Sequence, residues 1–177
     1  MEIEPIYYFI AAALIAAAWC YTTTHKNDDG KIKDVSVKVP SVLEVLNSFK
    51  AKKSPELKTG YTEKSIGKQL LIHLRQSFEH VTSQYGIEGI NGLSIDFNIG
   101  NGKVGLEIKL AKSVFKTAEF HRLIGQIDDY VMNKYDSENL IVAVFGEKEH
   151  FQDKVMIKKI EDKILEKKGV FIFIEIQ

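Results

Sequence analysis

The chain predicts an α/β domain, and three observations carry that reading. Stretches whose apolar residues recur every three or four positions are interleaved with stretches that alternate apolar and polar side chains. Two of the alternating stretches are joined by Gly100-Asn101-Gly102, and Asn-Gly between such runs signals a hairpin. Residues 140–145, Leu-Ile-Val-Ala-Val-Phe, are continuously apolar, as expected of a strand covered on both faces.

The elements follow in order. Residues 62–83 read as a long amphipathic helix with Ile66, Leu70, Leu74, Phe78 and Val81 on one face. A short extended segment near 85–87 precedes the hairpin strands 93–99 and 104–110. A second helix, 118–134, has Phe120, Leu123, Ile127, Tyr130 and Val131 as its apolar stripe. The strand 140–145, a helix over 151–167 and a strand over 170–176 complete the order α-β-β-β-α-β-α-β. Upstream, Ser41-Val42-Leu43-Glu44 has the capping-box pattern and opens a short helix to about residue 50, with Val42, Val45, Leu46 and Phe49 on one side. Residues 22–40 are polar and read as a flexible tether, and residues 51–60 as another linker.

A chain of 177 residues, 45% of them hydrophobic, fits one domain with an appendage. Lys plus Arg and Asp plus Glu are 24 each, so any nucleic-acid contact has to use a local patch. The single cysteine, Cys20, excludes an intramolecular disulfide, and no Cys/His spacing fits zinc.

The N-terminus is the compositional outlier. Residues 6–21 carry no charge and are rich in alanine, with Tyr7, Tyr8, Trp19 and Tyr21 near the two ends, as interfacial aromatics are placed. The expectation is a single-pass membrane helix. A signal peptide is disfavoured by Glu2 and Glu4 in place of a basic leader, and a buried alanine-rich helix is the remaining rival. Lys26, Lys31, Lys33 and Lys38 all follow the segment, which places the rest of the chain on the cytoplasmic side.

Chemistry concentrates on the hairpin. Four Glu-x-Lys triplets occur, at Glu56, Glu107, Glu161 and Glu166, and only Glu107-Ile108-Lys109 lies in a strand. Asp96, Glu107 and Lys109 occupy the polar phase of strands whose other phase is Ile95, Phe97, Ile99 and Leu106, Ile108, Leu110. Antiparallel pairing then brings two carboxylates and an ammonium to one face. A plain cross-strand ion pair is the bland alternative. Hard carboxylate oxygens suit Mg²⁺, and a lysine beside them can orient or deprotonate a water and offset charge at phosphorus, as phosphodiester hydrolysis requires.

The element order, with Asp96 and then Glu107-Ile108-Lys109 on successive strands, resembles the PD-(D/E)XK nuclease superfamily, whose restriction-endonuclease-like core is αβββαβ. Gln126-Ile127-Asp128-Asp129-Tyr130, the one Gln-x3-Tyr in the chain, is similar to the Gln-x3-Tyr element of the RecB-like branch. Ile95 stands where that signature has proline. The resemblance implies a mixed central sheet flanked by helices. It implies Asp96, Glu107, Lys109 and Gln126 as catalytic residues, and Asp96, Glu107, the Ile108 backbone carbonyl and Glu63 as ligands for Mg²⁺ or Mn²⁺. Tyr130, Lys112, Lys116 and Arg122 are the candidate substrate contacts, although Tyr130 also belongs to the apolar stripe and Gln126 reads equally as a solvent-exposed helix residue.

The expected organisation is an anchor at 1–24, a tether with a short helix at 25–60 and a nuclease-like domain at 61–177. The expected partners are DNA, with RNA as the alternative, the membrane through residues 6–21, and a second copy of the chain as a homodimer. The expected function is that of a membrane-tethered, metal-dependent nuclease. The alternatives are a nuclease-fold module that binds nucleic acid or protein without cutting, and a membrane protein whose αβ domain docks a partner.

Overall fold

In the computed structural model, which describes residues 26–53, 57, 60–88, 90 and 92–177, five strands form one mixed sheet in the order β1-β2-β3-β4-β5. These are β1 (Val81–Gly86), β2 (Ser94–Ile99), β3 (Val104–Leu110), β4 (Leu140–Gly146) and β5 (Val170–Glu175). The first three pair antiparallel, and β3, β4 and β5 pair parallel. The expected α/β class with a mixed sheet is what forms. The expected anchor at 1–24 lies outside the described residues, and among the described residues no helix is long and apolar enough to cross a membrane.

Helices cover both faces. On one side lie α1 (Val39–Ser48) and α2 (Glu63–Ser77), whose Val42, Leu46, Ile66, Leu70 and Leu74 meet Leu106, Ile108, Ile141, Ala143 and Phe145 of the sheet. After the short turn α3 (Ala111–Val114), α4 (Thr117–Asn133) makes the crossover from β3 to β4 on the other side, and α5 (Lys154–Glu166) makes the one from β4 to β5. Phe120, Leu123, Ile127, Ile160 and Ile164 pack there on Leu140, Val142 and Val144. Strand β4 is therefore apolar on both phases because both phases are buried.

The segment read from sequence as a tether is part of this domain. Ile32 bridges to Phe78, Ala51 bridges to Ile176, and Ile32, Val37, Phe49 and Ala51 are all buried in the core. The α1 face of the sheet is apolar, and without residues 26–53 that face would be open to water, at a cost of about 1.5–3 kcal/mol per large side chain uncovered. Helix α1 also starts earlier than its capping-box pattern suggested. Pro40 sits in its first turn, where a missing N–H costs nothing, and Ser41 bonds back to the Lys38 backbone instead of opening the helix.

A second difference is the end of α2. The apolar period continues through Phe78 and Val81, but the helix stops at Ser77, Phe78 is already extended, and Val81 starts β1. Both residues are buried among the same core side chains that a longer helix would have reached. The hairpin turn forms as expected, with Gly100, Asn101 and Gly102 all at positive φ.

Candidate active site

The β2–β3 ladder runs from the turn through Ile99↔Val104, Asn98↔Gly105 and Phe97↔Leu106 and pairs no further. At the next residue a side chain takes over the ladder's role. Asp96 Oδ2 accepts the Ile108 backbone N–H at 2.9 Å. On its other edge β2 stays in register with β1 through Tyr85↔Ile95, and the β1 residue facing Asp96 is Gln84. Gln84 has φ +51°, a region non-glycine residues seldom occupy, and its amide donates to Asp96 Oδ1 at 2.8 Å.

This kink overturns the simple alternation expected of β2. Phe97 and Ile99 pack on the α1/α2 side, whereas Ile95 packs on the α4/α5 side, over Gly105 and Tyr135. The strand changes phase at Asp96. Its carboxylate consequently lies along the edge of β3, in the plane between the strands, instead of standing on one face.

Glu107 and Lys109 stand on the α4/α5 side of β3 and are almost wholly recessed, at 2% and 5% exposure. The Lys109 ammonium donates to Glu107 Oε1. The Tyr130 hydroxyl, carried on α4, lies 3.0 Å from Glu107 Oε2 and 2.8 Å from the Ser94 carbonyl. Glu63, the first residue of α2, comes within 3.9 Å of the Lys109 ammonium. Asp96 is half-buried and opens on a cleft of about 470 Å³ between α2 and the β1–β2 edge.

Burial dominates the electrostatics. It pushes the Glu107 carboxyl up to about 7, the nearby charge of Asp96 adds to the effect, and Lys109 and Tyr130 offset it only in part. Burial also raises Glu63. For Lys109 burial works against the charge, but Glu107 and Glu63 together outweigh it and the ammonium is held more firmly than in water. A base at Lys109 is therefore the less favourable of the two roles read from sequence. Charge compensation suits it.

Other residues singled out by sequence divide as follows. Gln126 is half-buried one turn before Tyr130, and its Oε1 is buried with no hydrogen-bond partner. Tyr130, read as a substrate contact, is fully buried with its hydroxyl on Glu107. The Lys112 ammonium lies over the Tyr61 ring, 4.3 Å from its centroid. Arg122 is exposed and paired with Glu119, although its charge is felt at Glu63 and Glu107. Lys116 is exposed immediately before α4. Gln84 escaped the sequence reading because it lies in no periodic stretch and its backbone conformation has no local signature.

The donor set suits a hard divalent cation: Asp96, Glu107 and Glu63 supply carboxylate oxygens. A strand residue points its N–H and C=O to the same edge, so the Ile108 carbonyl faces β2 beyond the last paired residue. The orphaned Gln126 oxygen adds a polar group in want of a partner. The three carboxylates are not drawn into one cluster, however. Among the described residues the His/Cys/Asp/Glu group whose ligand atoms all lie within 4.8 Å of one another is Asp34, Glu79 and His80, beside the hairpin turn. Comparison of the chain with protein-family models, curated proteins and solved structures finds no match.

Proposed function

We propose that the chain is a metal-dependent nuclease of the PD-(D/E)XK type, tethered to the cytoplasmic side of a membrane by residues 6–21. The observation that carries this reading is the seat of Asp96 on the Ile108 N–H, which fixes one carboxylate against the strand bearing Glu107 and Lys109 just where β2 and β3 part. The restriction-endonuclease-like core agrees with the order and pairing of the elements. Asp96, Glu107, the Ile108 carbonyl and Glu63 would hold Mg²⁺ or Mn²⁺, which when bound supplies charge stabilisation at the phosphate and a more acidic water. Lys109 offsets negative charge on the phosphoryl oxygens. Tyr130 holds Glu107 in place, and Gln126 lies on the same face of α4 one turn toward the end of β3 that carries Lys109.

One observation favours a second reading, a nuclease-fold module that binds without cutting. Both Glu107 oxygens already have protein partners, Lys109 on one and Tyr130 near the other. The test is cleavage of DNA and RNA by the purified chain with Mg²⁺, with Mn²⁺ and with EDTA. Cleavage with either metal and none with EDTA is expected. Glu107→Gln, which keeps the shape and loses the charge, should abolish it while the fold survives, and Lys109→Ala should abolish it while some metal binding remains. Nucleic-acid binding without nicking under either metal selects the module, and neither activity selects partner docking.

A further inference from the structure

The cleft onto which Asp96 opens has two chemically different surfaces. Its floor is apolar and is made by Gly67 and Leu71 of α2 and by Phe97 of β2. Its rim carries Lys64 and Lys68, both exposed and neither in an ion pair with another described residue. The two lysines are four residues apart on α2, so they stand on one face of the helix about 6 Å apart along its axis. Gly67 lies between them and faces the sheet, where an added Cβ would make ordinary contact with Ile108 Cδ1 at 3.4 Å. Acidic groups are confined to the end of the cleft where Glu63 and Asp96 meet.

We infer that this cleft is the track of a single polynucleotide strand, with Lys64 and Lys68 holding two of its phosphates and the apolar floor receiving an unpaired base. The inference rests on the nuclease reading and names its substrate class. A duplex presents charged backbone to a protein and keeps its base faces stacked inside, so the apolar floor has nothing to meet. A single strand presents both phosphates and base faces, the combination that single-strand grooves accept. The volume, about 470 Å³, lies within the range of sites for small ligands, so the track holds on the order of one nucleotide at a time beside Asp96.

The experiment measures binding of the full chain to end-labelled oligonucleotides by fluorescence anisotropy, with Ca²⁺ present and over a series of salt concentrations. The arms are single-stranded DNA, single-stranded RNA and the corresponding blunt DNA duplex. The variants are Lys64→Ala/Lys68→Ala and, as a control on the opposite side of the sheet, Lys154→Ala/Lys163→Ala. The expected result is tighter binding of a single strand than of the duplex, the tighter of the two single strands identifying the sugar. Loss of both cleft lysines should weaken that binding on the order of tenfold at low salt and lower the slope of log K against log salt by about 1.4, because each phosphate contact on a single strand contributes about 0.7. The control pair should bind as the parent chain does. Duplex binding as tight as single-strand binding, or an unchanged slope in the cleft variant, overturns the track while cleavage in Mg²⁺ leaves the nuclease reading standing. No binding in any arm together with no cleavage overturns both.

Discussion

Removing one oxygen atom, in Tyr130→Phe, tests whether α4 holds the site from behind or touches what enters it. The ring is fully buried, so phenylalanine fills the same space and the perturbation is confined to the hydroxyl. That hydroxyl lies 3.0 Å from Glu107 Oε2 and 2.8 Å from the Ser94 carbonyl. Its worth depends on the charge of Glu107. A hydrogen bond to a neutral group contributes about 0.5–1.5 kcal/mol and one to an ionised group about 1.5–3 kcal/mol. Glu107 ionises near 7 in the fold, above the ordinary range of a carboxyl, so the bond changes class across neutrality.

The direction is determined by linkage. A carboxyl whose folded pKa is raised stabilises the fold fully while protonated in both states, below its unfolded value, and that stability is lost as pH rises through the folded pKa. The Tyr130 hydrogen bond lowers the Glu107 pKa, so Tyr130→Phe should move it further up and carry the loss to higher pH. Urea denaturation should show the variant less stable by about 1 kcal/mol near pH 5.5 and by about 2–3 kcal/mol near pH 8.5. The difference between the two conditions corresponds to an upward shift of about one pKa unit, at 1.36 kcal/mol per unit. In the cleavage assay KM should be unchanged, because the hydroxyl is buried behind Glu107. An equal loss of stability at both pH values would refute the coupling to Glu107. A raised KM would place Tyr130 against substrate, as the sequence suggested.

Further outcomes follow from packing and from the chain's N-terminus. In Gly105→Ala the new Cβ would lie 2.7 Å from Ile95 Cδ1 and 2.9 Å from the Tyr135 ring, so thermal unfolding should show a loss of about 1–3 kcal/mol from overpacking at the phase change of β2. The charge-free run at 6–21 should keep the full chain with the membrane fraction through an alkaline carbonate wash, and release of the intact chain would favour a buried helix over a spanning one.

Much of the architecture is legible in the residues because it follows from local periodicity. The hairpin is written in two alternating runs and an Asn-Gly turn, and β4 in six consecutive apolar residues, and both form where expected. The end of α2 is not legible, because Phe78 and Val81 continue its apolar period although they serve the core from an extended backbone. The tether fails for a related reason. Residues 26–38 have a polar composition, and only the location of the open sheet face decides that Ile32 and Val37 are needed to cover it.

At the candidate site, sequence by itself determined which groups are available and how they are spaced: Asp96, and two residues apart on one strand phase, Glu107 and Lys109. Period-two geometry is a property of the chain alone, so it survives into the structure on β3. Tertiary structure decided the rest. The kink that turns Asp96 onto the Ile108 N–H depends on Gln84 across the ladder, twelve residues away in sequence. Glu63 arrives on a helix from the other side of the sheet. The raised pKa of Glu107 comes from burial, and the firm hold on the Lys109 charge comes from Glu107 and Glu63 outweighing burial; both depend on packed surroundings that no spacing along the chain encodes.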